Sequence, residues 1–444
     1  MTKILAKKMK KGQELYKKAK TLIPGGTMLL SKRPEMHLPE QWPSYFDTAK
    51  GISVKDLDGN EYTDMYIMGI GTNTLGYGNS HVDEAVSSVV RKGNMSTFNC
   101  PEEVELAEKL IELHPWGDMV RFARSGGEAN SIAVRIARAA SGRDKVAICG
   151  YHGWHDWYIS ANLGDNAGLD GHLLPGLEPA GVPRSLKGTT IPFTYNDLEE
   201  ITQIVKSNPD LGVIKMEVTR NMGPKDGYLE GIRKLCDENN IVLIFDECTS
   251  GFRETYGGVH LKYGVEPDMC MFGKALGNGY AITAVLGKRE IMEAAQKTFI
   301  SSTFWTERIG PAAAVATLEE MNRIKSWEII TAQGEKIQKG WKKLAIENDL
   351  DLKCAGMPAL STYSIESENW LKYKTFITQE MLKKGWLAGS SVYVCIGHTD
   401  SVIENYLNEL NPIFKTISDF SKSHRDISEL LEGPISHGGF KRLN

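Results

Sequence analysis

The sequence predicts an α/β protein with a large domain built on a mostly parallel sheet and a smaller α+β domain after it. Three features of its patterning carry that expectation. From about residue 100, short apolar runs (120–123, 145–149, 212–217, 241–246, 269–272 and 282–286) alternate with helical stretches of roughly 10–15 residues. That rhythm belongs to parallel strands joined by crossover helices and covered on both faces. Before it, residues 44–66 alternate apolar and polar side chains around Asp58-Gly59-Asn60, which reads as a β-hairpin or meander. After roughly residue 315 the chain turns helix-rich and lysine-rich, and the alternation does not return. The expected division is an N-terminal segment (1–65) packing with the small domain, a large domain (66–320), and a small C-terminal domain with its tail (321–444).

Taken in order, the first 20 residues hold eight lysines with Glu14 as the only acid. Ile4, Leu5, Met9, Leu15, Tyr16, Ala19 and Leu22 mark one helical face beneath that charge, ended by Pro24-Gly25-Gly26. The segment lacks the apolar stretch of a signal peptide and the Arg and Ser of a transit peptide. Asn162 to Gly188 is rich in Gly, Pro and Leu and has little periodicity, as expected for a functional lid or an insertion. At the far end Gly433 to Phe440 reads as an extended arm lying on the body.

Composition narrows the function. The chain has 444 residues, 41% hydrophobic and 24% charged, with 52 Lys plus Arg against 56 Asp plus Glu and a formal charge of −4. That balance leaves no electrostatic footprint for nucleic acid. No apolar run is long enough for a membrane-spanning helix. The seven cysteines are odd in number, scattered and without a C-x-x-C pair, which suits a reducing cytoplasm better than a disulfide framework.

Four short stretches carry chemistry. Ile244-Phe245-Asp246-Glu247 is an apolar strand ending in two carboxylates, which puts Asp246 at the edge where α/β sheets bind ligands. Met271-Phe272-Gly273-Lys274 places a lysine after the next strand, where an amine near apolar surroundings can lose its proton and form a Schiff base with an aldehyde. Arg124-Ser125-Gly126-Gly127-Glu128 joins a strand to the helix 127–140, and the free N–H groups of such a helix start cradle an anion. Tyr151-His152-Gly153, directly after the strand 145–149, offers an aromatic to stack on a flat ring. An anion cradle, an aromatic, an acid and a lysine in this order meet the needs of pyridoxal 5′-phosphate (PLP), with Asp246 against the pyridine nitrogen. His152-x-x-His155 has no third ligand at a zinc spacing. Neither Gly69-x-Gly71 nor Gly277-x-Gly279 continues into a dinucleotide fingerprint.

On these residues the chain resembles the class III, fold type I aminotransferases, nearest the glutamate-1-semialdehyde 2,1-aminomutase branch. The resemblance runs from Ile23-Pro24-Gly25-Gly26 to about residue 320, and more loosely beyond. It is most specific at Leu243 to Glu247, Gly251-Phe252-Arg253, Tyr256-Gly257-Gly258, Pro267-Asp268 and Gly273-Lys274. It implies that Lys274 holds the cofactor, that Asp246 pairs with the ring nitrogen and that Tyr151, beside His152, stacks on the ring. It places Ser125, Gly126 and Gly127 on the phosphate turn, where the family usually has Ser-Gly-Thr. Glu217 and Asn221 fall near the ring's phenolic oxygen. The resemblance further implies a homodimer with shared sites, in which Thr306, or failing it Thr303, reaches the partner's phosphate, and a lid over 161–190.

Three departures bear on the substrate. The branch's Ser-x-Pro-Val-Arg element is replaced by Thr27-Met28-Leu29-Leu30-Ser31-Lys32, so its carboxylate-binding arginine gives way to Lys32 or Arg33. The glutamate before the distal His-Thr is absent ahead of His398-Thr399, and no arginine lies between Arg323 and Arg425. With Trp154, Trp157, Tyr158 and Trp305 in the same regions, these departures favour transfer from an amino donor to a separate carbonyl acceptor such as a keto sugar or related polyol. The alternative is intramolecular transfer of the aminomutase type.

Overall fold

The computed structural model describes residues 11–164, 168–172, 175–219 and 221–438. The chain divides into two compact units, one drawn from Met1–Asn79 with Ile329–Asn444 and the other spanning Ser80–Glu328.

The first unit opens with helix α1 (Lys11–Leu22), whose buried side is Gly12, Tyr16 and Ala19. Leu15 and Leu22, expected on that face, are exposed. Tyr16 fixes the helix by donating to Oε2 of Glu35 at 2.9 Å, so the buried stripe runs through Tyr16 rather than through the leucines. The apolar positions Ile4, Leu5 and Met9 lie outside the described residues. Strands β1 (Phe46–Lys50), β2 (Ser53–Asp56) and β3 (Glu61–Met65) form an antiparallel meander. Asp56 holds its second turn, accepting from the backbone of Asp58 and Asn60 at 2.9 Å each. The hydroxyl of Tyr77 donates to Asp64 at 2.7 Å, and Gly51 bridges to Tyr77, which keeps the chain up to Asn79 on this unit.

The second unit carries helices α2 (Ser80–Lys92) and α3 (Pro101–Leu113) and then the large sheet. Its strands are β4 (Met119–Ala123), β5 (Lys145–Cys149), β6 (Thr190–Pro192), β7 (Leu211–Met216), β8 (Val242–Glu247), β9 (Met269–Phe272) and β10 (Thr283–Gly287), in the spatial order β4-β10-β9-β8-β7-β5-β6. The run β9-β8-β7-β5-β6 is parallel, with α4 (Gly126–Ser141), α5 (Leu198–Ser207) and α6 (Tyr228–Asn239) among its connections. Strand β10, expected to be parallel, runs antiparallel to both β9 and β4. The reason is its short connection: residues 273–282 hold one 3-10 turn (Lys274–Gly277) and no crossover helix, and a parallel return needs a dozen residues or so. β7, β8 and β9 are buried along their whole lengths, as strands covered on both faces must be. Helix α4 packs Ile132, Ala133, Ile136 and Ala137 into the same core as Val146, Ile148, Val213 and Ile244. Helix α7 (Ile309–Ile324) ends this part, capped by Lys325 in the left-handed region.

Helix α8 (Ser326–Glu347) leads back into the first unit. There β11 (Leu352–Ala355), β12 (Leu360–Ile365) and β14 (Ser391–Tyr393) form a second antiparallel sheet, and β13 (Trp386–Ala388) joins the meander parallel to β3. Helices α9 (Trp370–Lys383) and α10 (Asp400–Lys422) close a core around Trp341, whose indole N–H donates to the Tyr406 hydroxyl at 3.1 Å. The described part of the tail lies on this body: Ser436 N donates to Oγ1 of Thr375 and His437 N to the carbonyl of Glu35. Gly439 and Phe440 lie outside the described residues.

Candidate active site

Tyr151, His152, Glu217, Asp246 and Lys274, with the turn Ser125-Gly126-Gly127, follow strands that end on one side of the large sheet, within Ser80–Glu328. In the parallel register Asp246 stands opposite Met271, two residues beyond Ile244, which pairs with Lys215. Asp246 is 3% exposed, a carboxylate that burial alone would neutralise. Burial pushes its carboxyl up, but the Lys215 ammonium 3.4 Å from Oδ2 and His152 Nδ1 donating to Oδ2 at 2.8 Å outweigh it. The backbone N–H of Cys248 adds a bond to Oδ1 at 3.2 Å, and the carboxyl is held well below its ordinary range. Asp246 is therefore an anion aimed from the sheet's edge. The neighbouring Glu247 serves a different purpose. It accepts from Nδ1 of His260 at 2.6 Å, from His260 N at 3.0 Å and from the Ser250 hydroxyl at 3.2 Å, while His260 Nε2 accepts from the Trp116 indole at 3.0 Å. With Cys270 these two form a buried group of metal-ligand type, in which the Glu247 and His260 atoms already hold the loop after β8.

Lys274 begins the turn after β9, with φ at 39°, a left-handed conformation that costs a residue with a side chain of order 1 kcal/mol. The backbone is held there by the turn Lys274–Gly277, and the ammonium donates to Oγ1 of Thr249 at 2.9 Å. Thr249 was not among the expected site residues. Only its place three positions after Asp246 pointed to it.

The anion cradle is the start of α4. Ser125 is the N-cap, and its hydroxyl accepts from Glu128 N while the Glu128 carboxylate accepts from Ser125 N at 2.8 Å and Arg124 N at 3.0 Å, a reciprocal capping box. Gly126 and Gly127 follow as the first helical residues, whose N–H groups have no carbonyl to meet inside the helix. The space that the family fills with a threonine side chain is occupied here. A Cβ at 127 would lie 2.7 Å from Cε1 of His155, whose ring stacks on Trp154 at 4.4 Å. Gly127→Thr should therefore lower stability by about 1–3 kcal/mol through overpacking rather than improve the cradle. Thermal melts of the loaded protein with and without the substitution measure this, and an unchanged melting point would show that His155 yields.

Tyr151 is half-buried. Its ring meets Tyr158 edge-on at 6.3 Å, and its N–H donates to Oε2 of Glu217 at 3.1 Å. Gly150 permits this: its φ is 113°, and a Cβ there would stand 2.5 Å from the same Glu217 oxygen. Glu217 is buried and joins Asp246, His152, Tyr151 and Lys274 around the strand ends. Asn221 is exposed, next to Arg220, which lies outside the described residues. Thr306 is exposed as well, in the turn Thr303–Thr306, its hydroxyl donating to the Thr303 carbonyl at 2.9 Å. That turn is tied to the cradle within the same chain. The Trp305 indole donates to Oε1 of Glu128 at 3.1 Å, and Arg124 pairs with Glu307 at 2.8 Å. In the 161–190 stretch, buried Asn162 accepts from Leu169 N at 2.8 Å and donates to the Leu177 carbonyl at 2.7 Å, gathering its described residues into a compact loop. Residues 165–167, 173 and 174 of that stretch lie outside the described residues.

Comparison with known proteins agrees with this geometry. The profile of the family "Aminotransferase class-III" matches residues 39–390. A 3-aminobutyryl-CoA aminotransferase of Cloacimonas acidaminovorans is 33% identical over 411 residues, covering 88% of this chain and 94% of that protein. A glutamate-1-semialdehyde 2,1-aminomutase of Methanococcoides burtonii is 33% identical over 360 residues, 79% of this chain and 83% of its own. Among solved structures, the PLP form of the FumI protein of Sphingopyxis sp. MTA144 superposes with a TM-score of 0.84 at 24% identity, covering 95% of this chain and 99% of that one, which establishes the fold type I architecture. The helix start with two uncommitted glycine N–H groups, the buried anion at Asp246 and the lysine amine at 274 fit PLP, the cofactor of this family. The chain is a PLP-dependent enzyme and belongs to the class III aminotransferases.

Proposed function

We propose that this enzyme moves an amino group from a small-molecule donor to a separate carbonyl acceptor that lacks a free α-carboxylate, a keto sugar or related polyol. The observation that carries this is the missing carboxylate grip: no arginine stands between Arg323 and Arg425, and the branch's Ser-x-Pro-Val-Arg element is absent, leaving Lys32 or Arg33 in its place. A lysine cannot offer the planar two-point fork that selects a carboxylate. The Cloacimonas relative is named for 3-aminobutyryl-CoA, a substrate whose carboxyl is tied up as a thioester, which supports the same reading. When bound, PLP supplies an aldehyde carbon for amines and an electron sink.

The chain's own residues do the rest. Gly126 and Gly127 at the start of α4 hold the phosphate, and Tyr151 covers a face of the ring. Asp246 keeps a proton on the ring nitrogen. Lys274, steadied by Thr249, is the group that attaches the cofactor and then carries protons at the reacting carbon. Glu217 fixes the backbone of Tyr151, and Asn221 reaches the ring's phenolic oxygen from the same loop. The described part of the 161–190 stretch is assigned to covering the substrate and excluding water.

The exposed apolar side chains Met95, Phe98, Phe299 and Phe304 lie on the same unit as Thr306, whose hydroxyl is 3.7 Å from the Met95 sulfur. We assign these exposed apolar side chains to an interface with a second copy of the chain, with Thr306 completing the partner's phosphate site. Thr306→Ala should then weaken cofactor retention by about tenfold, as expected for one lost hydrogen bond to a charged group. Equilibrium dialysis of PLP measures this, and full activity of monomers isolated at nanomolar concentration would contradict it. The seven cysteines are all free, in keeping with a reducing cytoplasm.

Mixing the loaded enzyme with single amino acids tests the reaction type. Loss of the cofactor's near-visible absorbance with glutamate or glutamine, and its return on adding a carbonyl sugar, is the expected result. The second reading, an aminomutase, has the Methanococcoides relative in its favour. It requires no response to any amino acid together with turnover of a lone amino-aldehyde.

A further inference from the structure

Lys215 is the one charge in an otherwise apolar strand. It lies in the apolar run Leu211-Gly212-Val213-Ile214-Lys215-Met216, every residue of which is buried, and its own side chain is 0% exposed. Among the described residues its amine contacts Oδ2 of Asp246 at 3.4 Å and the sulfur of Met271 at 3.4 Å. A lysine is among the costliest side chains to bury, and an apolar residue of similar length fits between Ile148, Ile244 and Met271 without that cost. His152 already donates to the same carboxylate oxygen at 2.8 Å, so Asp246 does not need Lys215 merely to be hydrogen-bonded.

We propose that Lys215 is a positioning residue for the cofactor, its buried ammonium supplying the fixed positive charge behind Asp246 that sets how strongly this carboxylate holds the proton on the ring nitrogen. The inference rests on the assignment of Asp246 to that nitrogen. Asp246 alone raises the ring's proton affinity, and a cation one carboxylate away draws part of that field to itself. The same charge acts on His152, whose ring nitrogens face Oδ2 of Asp246 at 2.8 Å and the Cys149 carbonyl at 3.2 Å. Burial, and then Lys215, push this imidazole below its ordinary value, and its Nδ1–H donates to Asp246. The other titratable groups around the cluster are Glu217 at the end of β7, Cys248 and Lys274 beyond Asp246, Cys270 on β9, and His172, whose Nδ1 accepts from Gly150 N at 3.1 Å. Cys248 and Cys270 are held as neutral thiols by burial, with Asp246 adding to the effect in Cys248 and Glu247 in Cys270. Lys215 is then the cation built into the sheet to balance Asp246 from behind.

The test uses the full chain loaded with PLP carrying 15N at the ring nitrogen, in wild type, Lys215→Met and Lys215→Gln. The ring-nitrogen shift is followed against pH, with occupancy checked by absorbance. Methionine keeps the length and removes the charge, and glutamine keeps a hydrogen-bond donor without charge. In both variants the ring nitrogen should keep its proton to higher pH, by about one to two units for a charge lost at this range. An unchanged midpoint in folded, loaded Lys215→Met overturns the proposal. So does a Lys215→Gln protein that titrates like wild type, since a hydrogen bond would then suffice. A purely structural lysine would lower the melting temperature of both variants and leave the ring-nitrogen midpoint where it was. Where neither variant folds, the 15Nζ signal of the slowly exchanging lysine in wild type decides, an ammonium at pH 7 supporting the proposal and a neutral amine overturning it. Assignment of the ring nitrogen to Asp246 is checked separately: in loaded wild type that nitrogen must show coupling to a protein-bound proton, and its absence counts against that assignment before any variant is compared.

Discussion

Lys274→Ala should reduce turnover by about 10⁴-fold, the upper range for removing a positioned proton-transfer group, while PLP still binds. Retention is expected because the other holding groups are independent of the lysine. The capping box that fixes the start of α4 involves Ser125, Glu128 and Arg124, and the anion at Asp246 is set by Lys215, His152 and Cys248. Borohydride treatment of the loaded wild type should fix the cofactor to the peptide that contains Lys274, and the alanine protein should release all of it on denaturation. The fold should be indifferent or slightly relieved. The ammonium donates to the Thr249 hydroxyl, and the left-handed φ of 39° suits neither lysine nor alanine. Lys274→Gly, which accepts that φ freely, should be at least as stable as Lys274→Ala by a few tenths of a kcal/mol or more. Cofactor that resists borohydride in wild type would remove Lys274 from its role.

Much of this site was legible because its residues sit where strands end. A carboxylate or a lysine directly after a fully apolar run is fixed in space by the sheet itself, so Asp246 and Lys274 could be read from their flanks. Ser125, Gly126 and Gly127 were readable because a strand, a glycine pair and a capping glutamate specify a helix start. The direction of β10 was not read, because an apolar run of that length looks the same in either orientation and only the short link from β9 distinguishes them. The roles of Thr249 and His155 are not visible in the sequence. Their roles come from what folds against them, the amine of Lys274 in one case and the bare backbone of Gly127 in the other. Lys215 is different: a single charge within a continuous buried strand was visible all along. Burying such a charge requires a partner, and a reading that asked each apolar run for its exceptions would have paired it with the carboxylate on the next strand.

That pairing decides the outcome at Asp246. Asp246→Asn keeps the shape of the side chain and should lower turnover by about 10² to 10³-fold, the range for losing one preorganised electrostatic contact. It should also cost about 3–5 kcal/mol of stability, because the Lys215 ammonium is left buried without its carboxylate. The two effects separate with pH. In wild type the Asp246 carboxyl lies below its unfolded value of about 3.9, so its contribution is fully present above that pH and fades only as the pH falls towards the lower native value. In the asparagine protein the group out of balance is Lys215. An amine buried without a counter-ion has a folded value below its unfolded value of about 10.4. The native state then binds fewer protons than the unfolded state, and stability should climb as the pH rises from 6 towards 10. Urea titrations across that range read the slope directly, and a flat profile in Asp246→Asn would show that Lys215 is not the charge balanced by Asp246. The double variant Asp246→Asn/Lys215→Met should recover most of the lost stability, since neither charge is then buried alone, yet recover none of the lost turnover. On the proposed assignment of Asp246 to the ring nitrogen, stability at this position belongs to the pair, and catalysis belongs to the carboxylate.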